Sequence, residues 1–223
     1  MKLIMAGLWF LAFWFSYSTV QAQALRVVDV SAENLNCLFD STCRVGGEDT
    51  TDAIPIPARG VNFLQSRTLT GHRGAPAAGL YVYQYRVDLR RAVGLTRIPC
   101  LTSLSLSFGP VVNTLDLDGN GKAGDEVFVI TEGGGEAVGL ASAEKAGGVI
   151  TFQFSSPVCA GGRPGGGQST YFFGLVSTNP PGPTTATLRE SNGTTYEADA
   201  RVARLMSPRP RRNGQIPKIG PPR

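Results

Sequence analysis

Asp116, Asp118 and Asn120 place a side-chain oxygen at every second position of the stretch DLDGNGKAGDEV, residues 116–127, and Asp125 and Glu126 close it. This alternation suits a hard cation such as Ca²⁺, which takes about six to eight oxygen ligands at about 2.3–2.6 Å. Gly119 and Gly121 let the backbone curl so that the three side chains converge. The carbonyl of Lys122 falls at the seventh position, where loops of this kind supply a main-chain oxygen. The expected ligand set is Asp116, Asp118, Asn120, the Lys122 carbonyl, Asp125 and Glu126, holding calcium in a structural role. The competing expectation is an Asx-rich hairpin turn without metal, because Asp, Asn and Gly dominate turns anyway.

The second half of the stretch departs from an EF-hand: the twelfth position is Val127 instead of Glu, and the flanking residues read as strands. Locally the stretch resembles the calcium loops of FG-GAP and VCBS repeats, in which DxDGNG is followed by an acid and an apolar strand, and more distantly dockerin loops. Those families repeat the motif, whereas here it occurs once, and the last acid, usually at the ninth position, comes one residue later at Asp125. The resemblance implies a calcium loop and no family function.

Other chemistry is thinly represented. The single histidine, His72, excludes a metalloprotease helix and a multi-histidine zinc site. No serine lies in G-x-S-x-G. The S-x-x-K spelling of penicillin-recognising enzymes occurs at Ser142–Lys145, without K-T-G or S-D-N partners and in what reads as a loop. Paired carboxylates for glycoside hydrolysis depend on distances that only a fold supplies.

The compartment decides whether calcium and disulfides are available. Lys2 precedes the apolar run from Leu3 to Phe15, and Val20-Gln21-Ala22 and Ala22-Gln23-Ala24 are both acceptable cleavage sites, so residues 1–24 read as a signal peptide. A run of about 13 apolar residues falls short of the roughly 20 that span a bilayer. The mature chain is expected to be secreted, extracellular or periplasmic, and not membrane-spanning. Its four cysteines then predict two bridges, and of the three possible connectivities the favoured one joins Cys37 with Cys43 around CLFDSTC and Cys100 with Cys159, which flank two predicted strands.

The formal net charge of +4 comes from the ends. The tail SPRPRRNGQIPKIGPPR, residues 207–223, carries five basic residues and no acid, and Lys2 is the sixth. Residues 25–206 therefore keep 15 of the 21 basic residues against all 17 acidic ones, a balance that predicts no nucleic-acid groove. The proline-rich tail has too few large apolar residues to offset its ordering entropy and is expected to be disordered.

The elements that must position the loop are strands. GLYVYQYRVDL, residues 79–89, puts Tyr81, Tyr83, Tyr85, Val87 and Leu89 on one face and Val82, Gln84, Arg86 and Asp88 on the other. The tyrosine stripe could bind sugar, but its continuation into Val87 and Leu89 assigns it to the core. Period-2 patterns or apolar runs also predict strands at 25–31, 101–108, 126–131, 148–156, 170–177, 184–190 and 194–202. GGRPGGG (161–167), NPPGP (179–183) and ESNG (190–193) punctuate them, while 32–60 reads as irregular. The expectation is one all-β domain over residues 25–206: an antiparallel two-sheet sandwich, immunoglobulin-like or jelly-roll, of about eight strands, with a β-barrel as the alternative. The expected function is a secreted binding or surface-associated module toward glycans or an extracellular partner. A structural or matrix protein and a secreted polysaccharide hydrolase are the alternatives.

Overall fold

The computed structural model describes residues 21–44, 46–132 and 137–204. The first 20 residues of the expected leader and the whole expected tail, 207–223, lie outside the described residues. Among those residues are twelve strands and one short helix.

One six-stranded sheet runs β1 (Gln23–Leu25), β8 (Leu140–Ala146), β9 (Val149–Cys159), β6 (Cys100–Ser107), β11 (Pro181–Glu190) and β12 (Thr195–Ala203). The other runs β2 (Val27–Val30), β7 (Val127–Ile130), β10 (Phe172–Ser177), β5 (Tyr81–Gly94), β4 (Ala58–Thr70) and β3 (Glu48–Ala53). The sheets are not closed into a barrel, and the architecture is an all-β two-sheet sandwich. Every named pair is antiparallel except β2 with β7. The first strand is shared: β1 pairs with β8 in one sheet, and after Arg26 the chain crosses and continues as β2 in the other.

The core follows from period-2 alternation. Tyr83, Tyr85, Val87 and Leu89 of β5 have no exposed surface and pack with Leu104 of β6, Phe152 of β9, Phe173 of β10 and Leu188 of β11. The tyrosine stripe is thus inter-sheet core, with hydroxyls satisfied at the rim: Tyr83 Oη donates to the Asn179 carbonyl at 2.6 Å and Tyr85 Oη to the Arg201 carbonyl at 2.7 Å. Burial drives both phenol pKa values up.

A second apolar cluster sits on the outer face of the β5 sheet. Val82, Leu69, Phe128 and Val176 are covered there by Leu35 and Phe39 of helix α1 (Ala32–Phe39) and by Leu117 of the acidic loop. The Ser31 hydroxyl caps α1 by accepting the Asn34 amide.

Three expectations need correction. Strand number rises from about eight to twelve, because β3, β4 and β8 are also strands and the first is split. Residues 32–60 are not irregular: they hold α1, β3 and the start of β4. β4 hides its period by facing Ser66 and Thr68 inward opposite Tyr85 and Tyr83, so both faces look polar in sequence. Ser142 and Lys145 lie on strand β8 instead of in a loop. Three residues apart on a strand, they point to opposite faces and cannot meet as nucleophile and base.

Both expected cysteine pairings form. Cys100 and Cys159 face each other in register across β6 and β9, and Cys37 of α1 joins Cys43 just after it. Cys43 has φ of 56°, and the turn that places it is held by Asp40, whose Oδ1 accepts the Thr42 amide and hydroxyl.

Candidate metal centre

The stretch 116–126 hangs between β6 and β7, and Leu117 decides its orientation. That side chain is 1% exposed in the second apolar cluster, so its neighbours Asp116 and Asp118 turn outward together. Gly119, Gly121 and Gly124 all have positive φ, between 75° and 116°, where a β-carbon would be strained.

Within this curl the carboxylates organise the backbone. Asp116 accepts the amides of Gly119 and Asn120 on Oδ1 and of Gly121 on Oδ2, at 2.7–3.1 Å. Burial pushes the Asp116 carboxyl up, but the amides of Gly121, Gly119 and Asn120 that donate to it outweigh that, so its pKa lies below 3.8. Asp125 is fully buried; its Oδ2 accepts the Leu117 amide at 2.7 Å, while its Oδ1 has no hydrogen-bond partner. The nearest cation to that oxygen is Arg26 Nε at 3.4 Å. The separation makes an ion pair without a hydrogen bond, and the Arg26 side chain is 45% exposed.

One oxygen from each of Asp116, Asp118 and Asp125 falls within 4.8 Å of the others. Of the remaining expected ligands, Asn120 stays beside the cluster: its Nδ2 donates to Asp118 Oδ2 at 2.7 Å and its Oδ1 accepts the Lys122 amide. Glu126 is drawn elsewhere, its Oε2 accepting the Arg26 amide at 3.0 Å. The backbone of Arg26 is held reciprocally, since its carbonyl accepts the amides of Glu126 and Val127. The acidic loop is thereby tied to the point where the first strand changes sheet.

The charges do not balance internally. Three clustered carboxylates face one half-exposed guanidinium, which leaves two negative charges. A divalent cation would neutralise them.

His72 sits apart from the loop. Its ring is 59% exposed, with Nδ1 3.5 Å from Asp40 Oδ2.

Sequence reasoning passed over a buried acid held in an ion pair at the other end of the sandwich. Glu190, 2% exposed, is gripped by both Arg97 Nη atoms and accepts the Tyr196 hydroxyl at 2.6 Å. It ties the β5–β6 connection to the β11–β12 hairpin. No local motif announces it, because its members lie 93 and 6 residues apart.

The fold and site define a two-sheet β-sandwich with two disulfides and an acidic triad able to hold a metal. Compared with known protein families, curated proteins and solved structures, the chain matches none of them. Among the described residues no helix is long and apolar enough to cross a membrane.

Proposed function

We propose that the chain is an exported binding module, acting in the extracellular or periplasmic space toward glycans or an extracellular partner, and that one structural Ca²⁺ locks its acidic loop. The observation that carries the calcium reading is the Asp125 carboxylate, fully buried within 4.8 Å of an oxygen of Asp116 and of Asp118, with no hydrogen bond to Oδ1 and only the half-exposed Arg26 guanidinium opposite it. A turn that needs no metal would expose that oxygen or give it a donor. Asp116, Asp118 and Asp125 supply carboxylates, Asn120 and the Lys122 carbonyl complete the set, and Glu126 serves the backbone of Arg26 instead. Two disulfides favour an oxidising compartment, where calcium is plentiful.

The ion's role is structural because the loop it gathers is bonded to Arg26, where the first strand passes between sheets. The test is calorimetric titration of Ca²⁺ into the chelator-treated mature chain, with Asp116→Ala and Asp118→Ala alongside. One ion per chain, bound in the sub-millimolar range typical of extracellular sites and lost in both variants, is expected. Absence of a binding isotherm in the parent would remove the calcium reading.

A further inference from the structure

Strand β5 carries a β-bulge with a consequence for its outer face. The pairing with β4 shifts register between Val61 and Phe63, which pair with Arg91 and Asp88 respectively. Leu89 and Ala92 are both fully buried, and the two residues between them, Arg90 and Arg91, are both exposed. Strict alternation would drive one of these arginines into the core; the extra residue turns both outward.

Around them lies an outer face that α1 does not cover. A cavity of about 500 Å³ opens there, with Val61 and Phe63 on one side, Arg90 and Arg91 on another, and Gly165 opposite. A β-carbon at Gly165 would meet nothing within 4 Å, so that wall is open. Farther along the same face, the Phe172 ring lies 5.0 Å from the Arg67 guanidinium and 4.8 Å from that of Arg86. By register Arg59 faces outward too, since its neighbour Gly60 pairs with buried Ala92.

On β4 and β5 this face carries Arg59, Arg67, Arg86, Arg90 and Arg91. On β3–β5 the acids facing them are Asp49, which holds Arg67, and Asp88, which holds Arg90 and lies 3.6 Å from Arg86. Arg59 and Arg91 have no ion-pair partner among the described residues. Beneath the arginines, Gln65 Oε1, Gln84 Oε1 and Arg86 Nε are buried without hydrogen-bond partners. Those atoms are closed to solvent, so the polarity that a ligand can reach on this face is that of the exposed Arg59, Arg90 and Arg91.

We infer that this face binds an acidic polysaccharide whose sugars carry free carboxylates. Guanidinium groups take carboxylates through paired N–H donors, and the half-buried Phe63 ring with Val61 offers apolar surface to the C–H faces of sugar rings. A net-cationic sheet face with an open recess beside Arg90 and Arg91 suits an extended polyanion lying along the strands. The inference rests on the binding-module reading and names the ligand class for it.

The test is calorimetry of the mature chain at fixed calcium against a glucuronate-containing oligosaccharide, hyaluronate, and against its carboxyl-methylated form. Arg91→Ala should weaken binding at least about tenfold, as loss of charge-assisted hydrogen bonds implies, and esterification should abolish it. Arg189→Ala, on the outer face of the opposite sheet, should leave binding unchanged, and all variants should melt like the parent. Failure of hyaluronate to bind, equal binding of the ester, equal weakening by Arg189→Ala, or binding of polyglutamate or a single-stranded oligonucleotide as tight as that of hyaluronate overturns the inference. A chain that titrates calcium yet ignores the saccharide fails here alone; one that binds the saccharide without taking up calcium fails only the calcium reading.

Discussion

Asp125→Asn isolates the buried carboxylate on which the calcium reading turns. The amide is isosteric, and its remaining oxygen can still accept the Leu117 amide now held at 2.7 Å by Oδ2. Exchanging a charged acceptor for a neutral one costs about 1 kcal/mol, and an NH₂ group turned toward Arg26 Nε leaves a buried donor unpaired, about 1–3 kcal/mol more. Loss of repulsion from Asp116 and Asp118 acts in the opposite direction, so in chelator the variant should melt close to the parent. Calcium separates them. At about 100 times its dissociation constant the ion stabilises the parent by about 2.7 kcal/mol. For a domain of this size that is a rise in Tm of about 5–11 °C. Asp125→Asn should lose most of that rise, because it removes one of the three clustered carboxylate charges that the ion neutralises. The assay is thermal unfolding of parent and variant in calcium and in chelator at constant ionic strength. A parent Tm that is the same in both, or a variant that gains as much from calcium as the parent, refutes the reasoning.

Three further outcomes can be checked alongside. Exported chain should begin at Gln23 and not Leu25, because Gln23 pairs with Lys145 and cleavage after Ala24 would strip two of the three residues of β1; N-terminal sequencing decides. Tyr196→Phe removes a donor from the buried Glu190 carboxylate and should cost about 1.5–3 kcal/mol in denaturant unfolding, whereas a change below about 0.5 kcal/mol would mean that Arg97 alone satisfies Glu190. Because the Asp116 pKa is depressed, its contribution to stability is complete above the unfolded value and is lost as pH falls through the folded one. The Tm of the chelator-treated chain should therefore drop on acidification below about pH 4, and less steeply in Asp116→Asn.

What the sequence made legible follows from how local each signal is. β5, β6 and β9 declare themselves because one face is apolar and the other is not, and register then places Cys100 opposite Cys159. The Asp116–Asp118–Asn120 alternation is equally local, and Leu117 between the acids already dictates that they share a side. β3 was illegible because Glu48–Ala53 is an edge strand with little buried surface, and α1 because eight residues give a helical period too few repeats. Sequence spacing enlisted Glu126 as a ligand, yet its carboxylate serves Arg26, a hundred residues earlier in the chain. No pattern within 116–127 carries that information. The arginine face is hidden by summing charge over residues 25–206: residues 59–97 alone carry seven arginines against one acid, Asp88, and the β4–β5 register and a bulge then gather five of them on one surface.

Strand β5 joins these levels. Its inward residues, Tyr83, Tyr85, Val87 and Leu89, are consumed by the core, so they are unavailable to a ligand however suggestive their rings look in sequence. Function must therefore lie on the outward residues and on the loops. At one end of β5 the outward side chain is Val82, which α1 and the acidic loop bury, so there the loop itself is the exposed chemistry. Toward the other end the outward side chains are Arg86, Asp88, Arg90 and Arg91, with nothing packed over the cavity beside them. The acidic loop is fastened to the first strand while the arginine face belongs to the central strands β4 and β5, which are held by long ladders and need no ion to form. Removing calcium should accordingly loosen the crossing at Arg26 before it disturbs the arginines, which is why the metal and the saccharide can be tested as separate claims.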